Sequence, residues 1–306
     1  MKVLLCVGSG IGNVILQVPL YKYLLNNYGD NIDIFVSDSC PRSIINYLSL
    51  ITSKNTHIFF QRGSHKVNSF YDLVFETRSF TGGKDSKIIY NAAKKISTKD
   101  YFSEVDYRIY DETQMEFEVL RISENIEYKI DDLILNDKKK VFNKKIAIFN
   151  TSKSGFQTKR KIDKFFFDDL IIRLQEKGFQ IYSFGLPKEY VQGTINKTCT
   201  DMNKIISGIN ECSYFIAPDM GLSFVSISLG LNGTMLFGPT SHYKMLEPIS
   251  RSKINVISND SICSYFPCYL TDVQHRNCDM RCIKSIENEQ TIINILNHID
   301  SLNRKK

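Results

Sequence analysis

The chain has 306 residues, 42% of them hydrophobic and 24% charged, with a net charge of +6. That composition excludes a disordered or collagen-like chain and predicts about two globular domains. The lysines are dispersed, with short runs at Lys138-Lys139-Lys140, Lys144-Lys145 and Lys159-Arg160-Lys161. A single basic stripe, the mark of a nucleic-acid binder, is not among them.

No apolar run reaches the ~18 residues of a membrane span. The opening Met1-Lys2-Val3-Leu4-Leu5-Cys6 superficially resembles a signal peptide, but Gly8, Gly10, Gly12 and Asn13 interrupt it and no small-residue cleavage site follows. It reads as a first strand. Eight cysteines are too few for a disulfide scaffold, and Cys6, Cys40, Cys199 and Cys212 are scattered near apolar segments. The expected compartment is the reducing cytoplasm.

In chain order, Lys2 to Val7 is a strand, followed by the loop Gly8-Ser9-Gly10-Ile11-Gly12-Asn13. Val14, Ile15, Val18, Tyr21, Leu24 and Leu25 then recur at helical spacing, and Pro19 kinks or restarts that helix. Ile32 to Val36 alternates as a second strand, completing a βαβ unit. Asp72 to Glu76 predicts another strand; Lys87 to Lys95 and Glu112 to Leu120 predict helices. The polar stretch over residues 136–145 places a domain boundary, giving domains 1–143 and 144–306.

The second half repeats the alternation. Strands are predicted at Ile146–Phe149, Gln180–Phe184, Tyr214–Ala217 and Thr234–Phe237. Helices are predicted at Phe165–Lys177, Met202–Cys212, Leu222–Leu229 and Glu287–Leu302. Gly178 caps the first of these. Two parallel α/β domains result, with ligands expected at the C-terminal ends of the strands and a cleft between the domains.

Four places carry candidate chemistry. The glycines of the first loop let a ligand approach the chain closely, and the helix behind them favours anions. The spacing is G-x-G-x-G, short of the dinucleotide pattern, although Asp38 follows the second strand where a ribose-binding acid would sit. Pro218-Asp219-Met220-Gly221-Leu222-Ser223 joins a strand to a helix, so Asp219 is expected to cap that helix and the amides behind it to hold a phosphate. Phe237-Gly238-Pro239-Thr240 ends the next strand on the same sheet edge. Lys159, Arg160 and Lys161 offer cations to a diphosphate there. Each of these also reads as a plain turn, a capped helix or a solvated charge run.

Cys263, Cys268, Cys278 and Cys282 are spaced C-x4-C-x9-C-x3-C. A structural zinc or iron site, buried thiols and disulfides all fit that spacing. The five histidines make no H-x-x-x-H or H-E-x-x-H pattern, and no nucleophile elbow or P-loop is present. Asp38 and Glu76 are the carboxylates available as a base.

Taken together, these residues resemble glycosyltransferase family nine, the ADP-heptose:lipopolysaccharide heptosyltransferases. Gly10-Ile11-Gly12-Asn13-Val14-Ile15-Leu16-Gln17-Val18-Pro19-Leu20 is similar to that family's first loop and helix. Asp219-Met220-Gly221-Leu222-Ser223 with Phe237-Gly238-Pro239-Thr240 resembles its donor signature, and the four late cysteines resemble its C-terminal segment. The resemblance spans nearly the whole chain.

It implies an α/β, GT-B-like fold of two Rossmann-like parallel-sheet domains facing a cleft. The first domain takes the acceptor and the second takes the nucleotide-sugar. It implies inverting transfer that needs no divalent metal, with a base deprotonating the acceptor hydroxyl. Gly221, Leu222 and Ser223 are then expected to cradle the phosphates, Arg160 to stand for the family's phosphate-binding lysine with Lys159 or Lys161 as substitutes, and Glu189 to contact the nucleoside or sugar. The implied donor is an ADP-sugar and the implied acceptor an anionic glycolipid or glycan at the inner membrane face. A related heptosyltransferase group carries cysteine-bound iron, which bears on the cysteine cluster.

Three positions depart from the family. Its catalytic Asp is here Asn13, its Ser or Thr after the donor-site Asp is Met220, and its His after Ser223 is Phe224. A carboxamide takes up no proton at neutral pH. Asp38 or Glu76 therefore serves as base, or the chain is a sugar-nucleotide-binding relative without turnover. An NAD-dependent oxidoreductase is the remaining alternative, carried by the glycine loop and Asp38.

Overall fold

The computed structural model describes residues 1–8, 10–29, 31–37, 58–61, 65–77, 79–80, 88–102, 112–124, 142–151, 160–242, 253–268 and 278–304. Contacts divide the chain into two compact units, Met1–Leu133 and Ile134–Lys306.

The first unit is built on a fully parallel sheet of five strands: β1 (Val3–Val7), β2 (Ile32–Ser37), β3 (Ile58–Gln61), β4 (His65–Glu76) and β5 (Ile88–Ser97), in the spatial order β3-β2-β1-β4-β5. Every residue of β1 is buried, as a central parallel strand covered on both faces requires. After β1 come α1 (Ile11–Leu16) and α2 (Val18–Tyr28), separated at Gln17. Pro19 sits in the first turn of α2, where its missing N–H costs nothing, so the proline restarts the helix. α3 (Glu112–Glu124) closes the described part of this unit.

Residues 88–97 correct the sequence reading, which took Lys87 to Lys95 as a helix. They form the edge strand β5, paired in parallel along β4. The Ala92-Ala93-Lys94-Lys95 stretch has helical propensity, but pairing with β4 overrides it. Tyr90 and Ala92, two residues apart, pack against the core cluster of Leu4, Cys6, Phe35, Tyr71, Val74 and Phe80.

The second unit carries a parallel sheet of six strands: β6 (Lys145–Ile148), β7 (Gln180–Ser183), β8 (Ile195–Asn196), β9 (Tyr214–Pro218), β10 (Asn232–Leu236) and β11 (Ile254–Ile257). Their order is β11-β10-β9-β6-β7-β8, a doubly wound arrangement whose direction of winding reverses between β6 and β9. Among the described residues, its helices are α4 (Lys164–Glu176), α5 (Met202–Asn210), α6 (Gly221–Ser228), α7 (Arg281–Lys284) and α8 (Glu289–Asn303). Phe166, Leu170, Ile171 and Leu174 of α4 and Ile292, Ile295 and Ile299 of α8 share one core with Ile146, Ile148, Ile181, Tyr214 and Ile216 of the sheet. Asp163 caps α4 by accepting from the Phe165 amide, and Gly178, at φ 78°, turns the chain just beyond it. The short strands β3, β8 and β11 carry too little pattern to be read from sequence.

Candidate functional site

In a doubly wound sheet, ligands sit outside the C-terminal strand ends where the order reverses. In the second unit that place lies between β6 and β9. Asp219 is the first residue past β9. Its side chain is 3% exposed and pairs with the Arg160 guanidinium, 7% exposed, at 3.1 Å. The same Arg160 nitrogen, Nη1, donates to the Asp219 carbonyl at 2.8 Å. Asn150, just past β6, organises the segment leading into α4: its side chain accepts from the Ile162 amide at 3.0 Å and donates to the Ile162 carbonyl at 2.9 Å. The sequence-predicted Arg160 and Asp219 are thus brought into one buried ion pair.

Asp219 does not cap α6, as the sequence reading expected. The N-cap position is Met220, in extended backbone (φ −155°, ψ 164°), with no side-chain cap. Asp219 is spent on Arg160 instead. A thioether offers the helix no acceptor, so Gly221 and Leu222 open the helix without a capping side chain. The Ser223 amide turns back to the Met220 carbonyl at 3.0 Å, and its buried hydroxyl donates to the Pro218 carbonyl at 2.9 Å. Phe224 is core.

Gly238 is required by packing. A Cβ there would lie 2.3 Å from Ile283 of α7. Thr240 is buried, and among the described residues its hydroxyl has no hydrogen-bond partner. Glu189 is buried too; its carboxylate accepts from the Leu186 amide at 2.8 Å, steadying the 3-10 turn Pro187–Glu189. Lys161 is exposed. Lys159 lies outside the described residues.

One polar group at this edge escaped the sequence reading. His242, whose spacing matched no motif, ends the β10 loop with Nδ1 3.3 Å from the Ser258 hydroxyl and 3.5 Å from the Asp260 carboxylate. No local sequence signal joins these residues; adjacent strand ends do.

In the first unit the order reverses between β1 and β4. Gly10 takes φ 105° at the N-cap of α1, a conformation that suits glycine alone, and Gly12 and Asn13 lie in the first turn of α1. Glu76, at the end of β4, accepts from the Tyr90 hydroxyl at 2.8 Å and pairs with Lys95 at 2.9 Å. Asp38 lies outside the described residues.

None of the seven described cysteines is disulfide-bonded. Burial pushes the Cys282 thiol up to about 11, and Cys268, Cys278 and Cys263 add to the rise. Among the described residues, however, no three His, Cys, Asp or Glu side chains converge to hold an ion, so the cluster does not fit a ready-made metal site. Among the described residues, no helix is long and apolar enough to cross a membrane.

No family model matches the sequence, and no curated protein matches it. Solved structures do. A family 9 glycosyl transferase from Veillonella parvula superposes with a TM-score of 0.62 at 14% identity, over 97% of this chain and 96% of that one. Escherichia coli ADP-heptose lipopolysaccharide heptosyltransferase II gives 0.62 at 15% identity, over 99% and 98%. The dodecameric iron-containing heptosyltransferase TibC of enterotoxigenic E. coli, solved with ADP-D-β-D-heptose, gives 0.65 at 12% identity, over 99% and 76%. The chain has the fold of the family 9 glycosyltransferases. The two parallel-sheet units are the two halves of that GT-B fold.

Proposed function

We propose that the chain is a glycosyltransferase that moves a sugar from a nucleotide-diphosphate donor to a surface glycan or glycolipid. The observation that carries this is the buried Arg160–Asp219 pair at the strand-order reversal, beside a helix start with no side-chain cap. That arrangement suits a diphosphate. It lies in a fold shared over nearly the full length with enzymes solved with, or named for, ADP-heptose.

The reading extends in finer detail. The donor is an ADP-sugar, heptose first among candidates, held by the domain 144–306; the acceptor is an anionic lipopolysaccharide-type glycan met by the domain 1–143. Transfer is inverting and independent of a divalent metal. The acceptor oxygen forms a bond to the anomeric carbon as the carbon–oxygen bond to the diphosphate breaks. The acceptor proton passes to a carboxylate, and the leaving charge falls on Arg160 and the amides of Gly221 and Leu222. The chain works in the cytoplasm, peripherally at the inner membrane face, drawn there by its net charge of +6.

A second reading has its own support. Asn13 accepts no proton, and Glu76 is already tied to Lys95 and Tyr90. A donor-binding relative without turnover fits those two facts. A thermal-shift panel with ADP, UDP, GDP, CMP and NAD tests both readings. Stabilisation by ADP supports the transferase; at 100 times the dissociation constant it amounts to about 2.7 kcal/mol. Stabilisation by NAD alone overturns the transferase. Transfer by wild type and N13D then separates enzyme from relative: turnover by wild type that N13D does not exceed rules out the inactive reading.

A further inference from the structure

The second sheet ends on one side in β7 and β8. Beside that edge lies a groove of about 440 Å³, within the size range of small-ligand pockets. Tyr182 of β7 and Phe184 just past it form an aromatic floor, their rings stacked at 6.4 Å between centres. α5 forms one wall with Lys204, Ser207 and Gly208; the segment leaving β8 forms the other with Lys197 and Thr198. A Cβ at position 208 would lie 2.4 Å from the Phe184 ring. Glycine weakens a helix interior, and here it lets α5 lie directly against that ring.

The groove is separate from the candidate donor residues. It runs down to the N-terminal ends of β6 and β9, where Lys145 opens β6 and Glu211 and Cys212 precede β9. Arg160, Glu189, Asp219 and Gly221 do not line it. Its charges do not cancel. Lys145 is spent on Glu211, 3.1 Å from the carboxylate, and lies over the Tyr182 ring at 5.9 Å from its centre. Among the described residues, no acid pairs with Lys197 or Lys204. Two ammonium groups, one from each wall, are thus left to meet an anion, above an aromatic floor that suits a flat apolar group.

We infer that this groove is a second ligand site of the unit 134–306, taking a small aromatic acid. A flat ring rests on Tyr182 and Phe184, and a phosphate or carboxylate on that ring is held by Lys197 and Lys204, with the Ser207 hydroxyl on the same wall as Lys204. The site does not depend on the transferase reading. Each exposed lysine is worth roughly two- to fivefold in affinity, so the two together are worth about tenfold.

The test is calorimetric titration of the full chain with phenyl phosphate, benzoate and inorganic phosphate, each with and without saturating ADP. Wild type is expected to bind phenyl phosphate or benzoate, the tighter of the two naming the acid group, and to bind inorganic phosphate at least about tenfold more weakly than phenyl phosphate. K197Q/K204Q is expected to weaken the aromatic acid about tenfold, and ADP to leave its binding in place. S207F, which fills the groove and keeps both lysines, is expected to abolish binding and stands in should the double variant not fold. Three results overturn the inference: no binding of either aromatic acid at millimolar concentration, equal affinity in wild type and both variants, or displacement of the acid by ADP, which puts the acid in the donor site. A wild type that binds the acid and no nucleotide keeps this site and overturns the transferase reading alone.

Discussion

Arg160 grips Asp219 at two points, its Nη1 lying 2.8 Å from the backbone carbonyl and 3.1 Å from the carboxylate. The pair therefore fixes both the side chain and the chain direction at the end of β9. Removing one partner leaves the other as an unpaired buried charge, which costs about 3–5 kcal/mol. R160M is expected to lower the melting temperature by ~10 °C, scaled to a unit of this size. R160M/D219N is expected to lose clearly less than the sum of the single losses, measured as a double-mutant cycle by chemical denaturation.

Gly8 gives a second expectation. A Cβ at this position would fall 1.8 Å from the Ser79 carbonyl oxygen and 2.2 Å from its carbon. Those are backbone atoms, so no rotamer relieves the clash. The Gly8 amide also donates to the Ser79 hydroxyl at 3.2 Å, and Thr77 bonds the Cys6 carbonyl at 3.0 Å. The chain after β4 thus folds over the end of β1. G8A is expected to destabilise the first unit by at least 1–3 kcal/mol, roughly the cost of overpacking. Faster amide exchange around Thr77 is the measurement that checks it.

Much of this was legible in the residues, for identifiable reasons. The alternation of β and α in the second half survives because its strands and helices carry long, clean apolar patterns, as in α4 and β9. The restart at Pro19 follows from one residue's chemistry. β5 was misread because an edge strand takes its conformation from a partner distant in sequence. Asp219 was misread as a cap because nothing local reveals that Arg160, 59 residues away, claims it. His242, Ser258 and Asp260 stayed invisible for the same reason: their meeting is made by neighbouring strand ends.

Cys282 carries an expectation about reactivity. Its thiol is pushed up to about 11, first by burial and then by the neighbouring Cys268, Cys278 and Cys263. At pH 8 its thiolate fraction is then about one part in a thousand, and the thiolate is the reactive form. In native protein, iodoacetamide is expected to modify Cys263, Cys268 and Cys278 well before Cys282, read by peptide mass spectrometry. Modification of Cys282 at the rate of the other three would contradict its burial.

Glu287 links stability to pH. Its carboxylate accepts from the Asp163 amide at 2.6 Å, joining the segment before α8 to the cap of α4. Burial raises its pKa above the ordinary 4.5 and the Asp163 charge adds to the rise, while the hydrogen bond from the Asp163 amide and the charge of Lys284 oppose it. A raised acid is better tolerated protonated. The stability it contributes is fully present below the unfolded value and is lost as pH climbs through the folded one. E287Q keeps an acceptor for the Asp163 amide and removes the charge. The variant is expected to match wild type near pH 4 and to gain on it as pH rises to 7, by under about 1 kcal/mol for a half-buried group. Melting temperatures of both proteins across pH 4–7 decide it: a gap that stays constant with pH, or one that favours wild type at pH 7, would mean that the ionised carboxylate stabilises this corner.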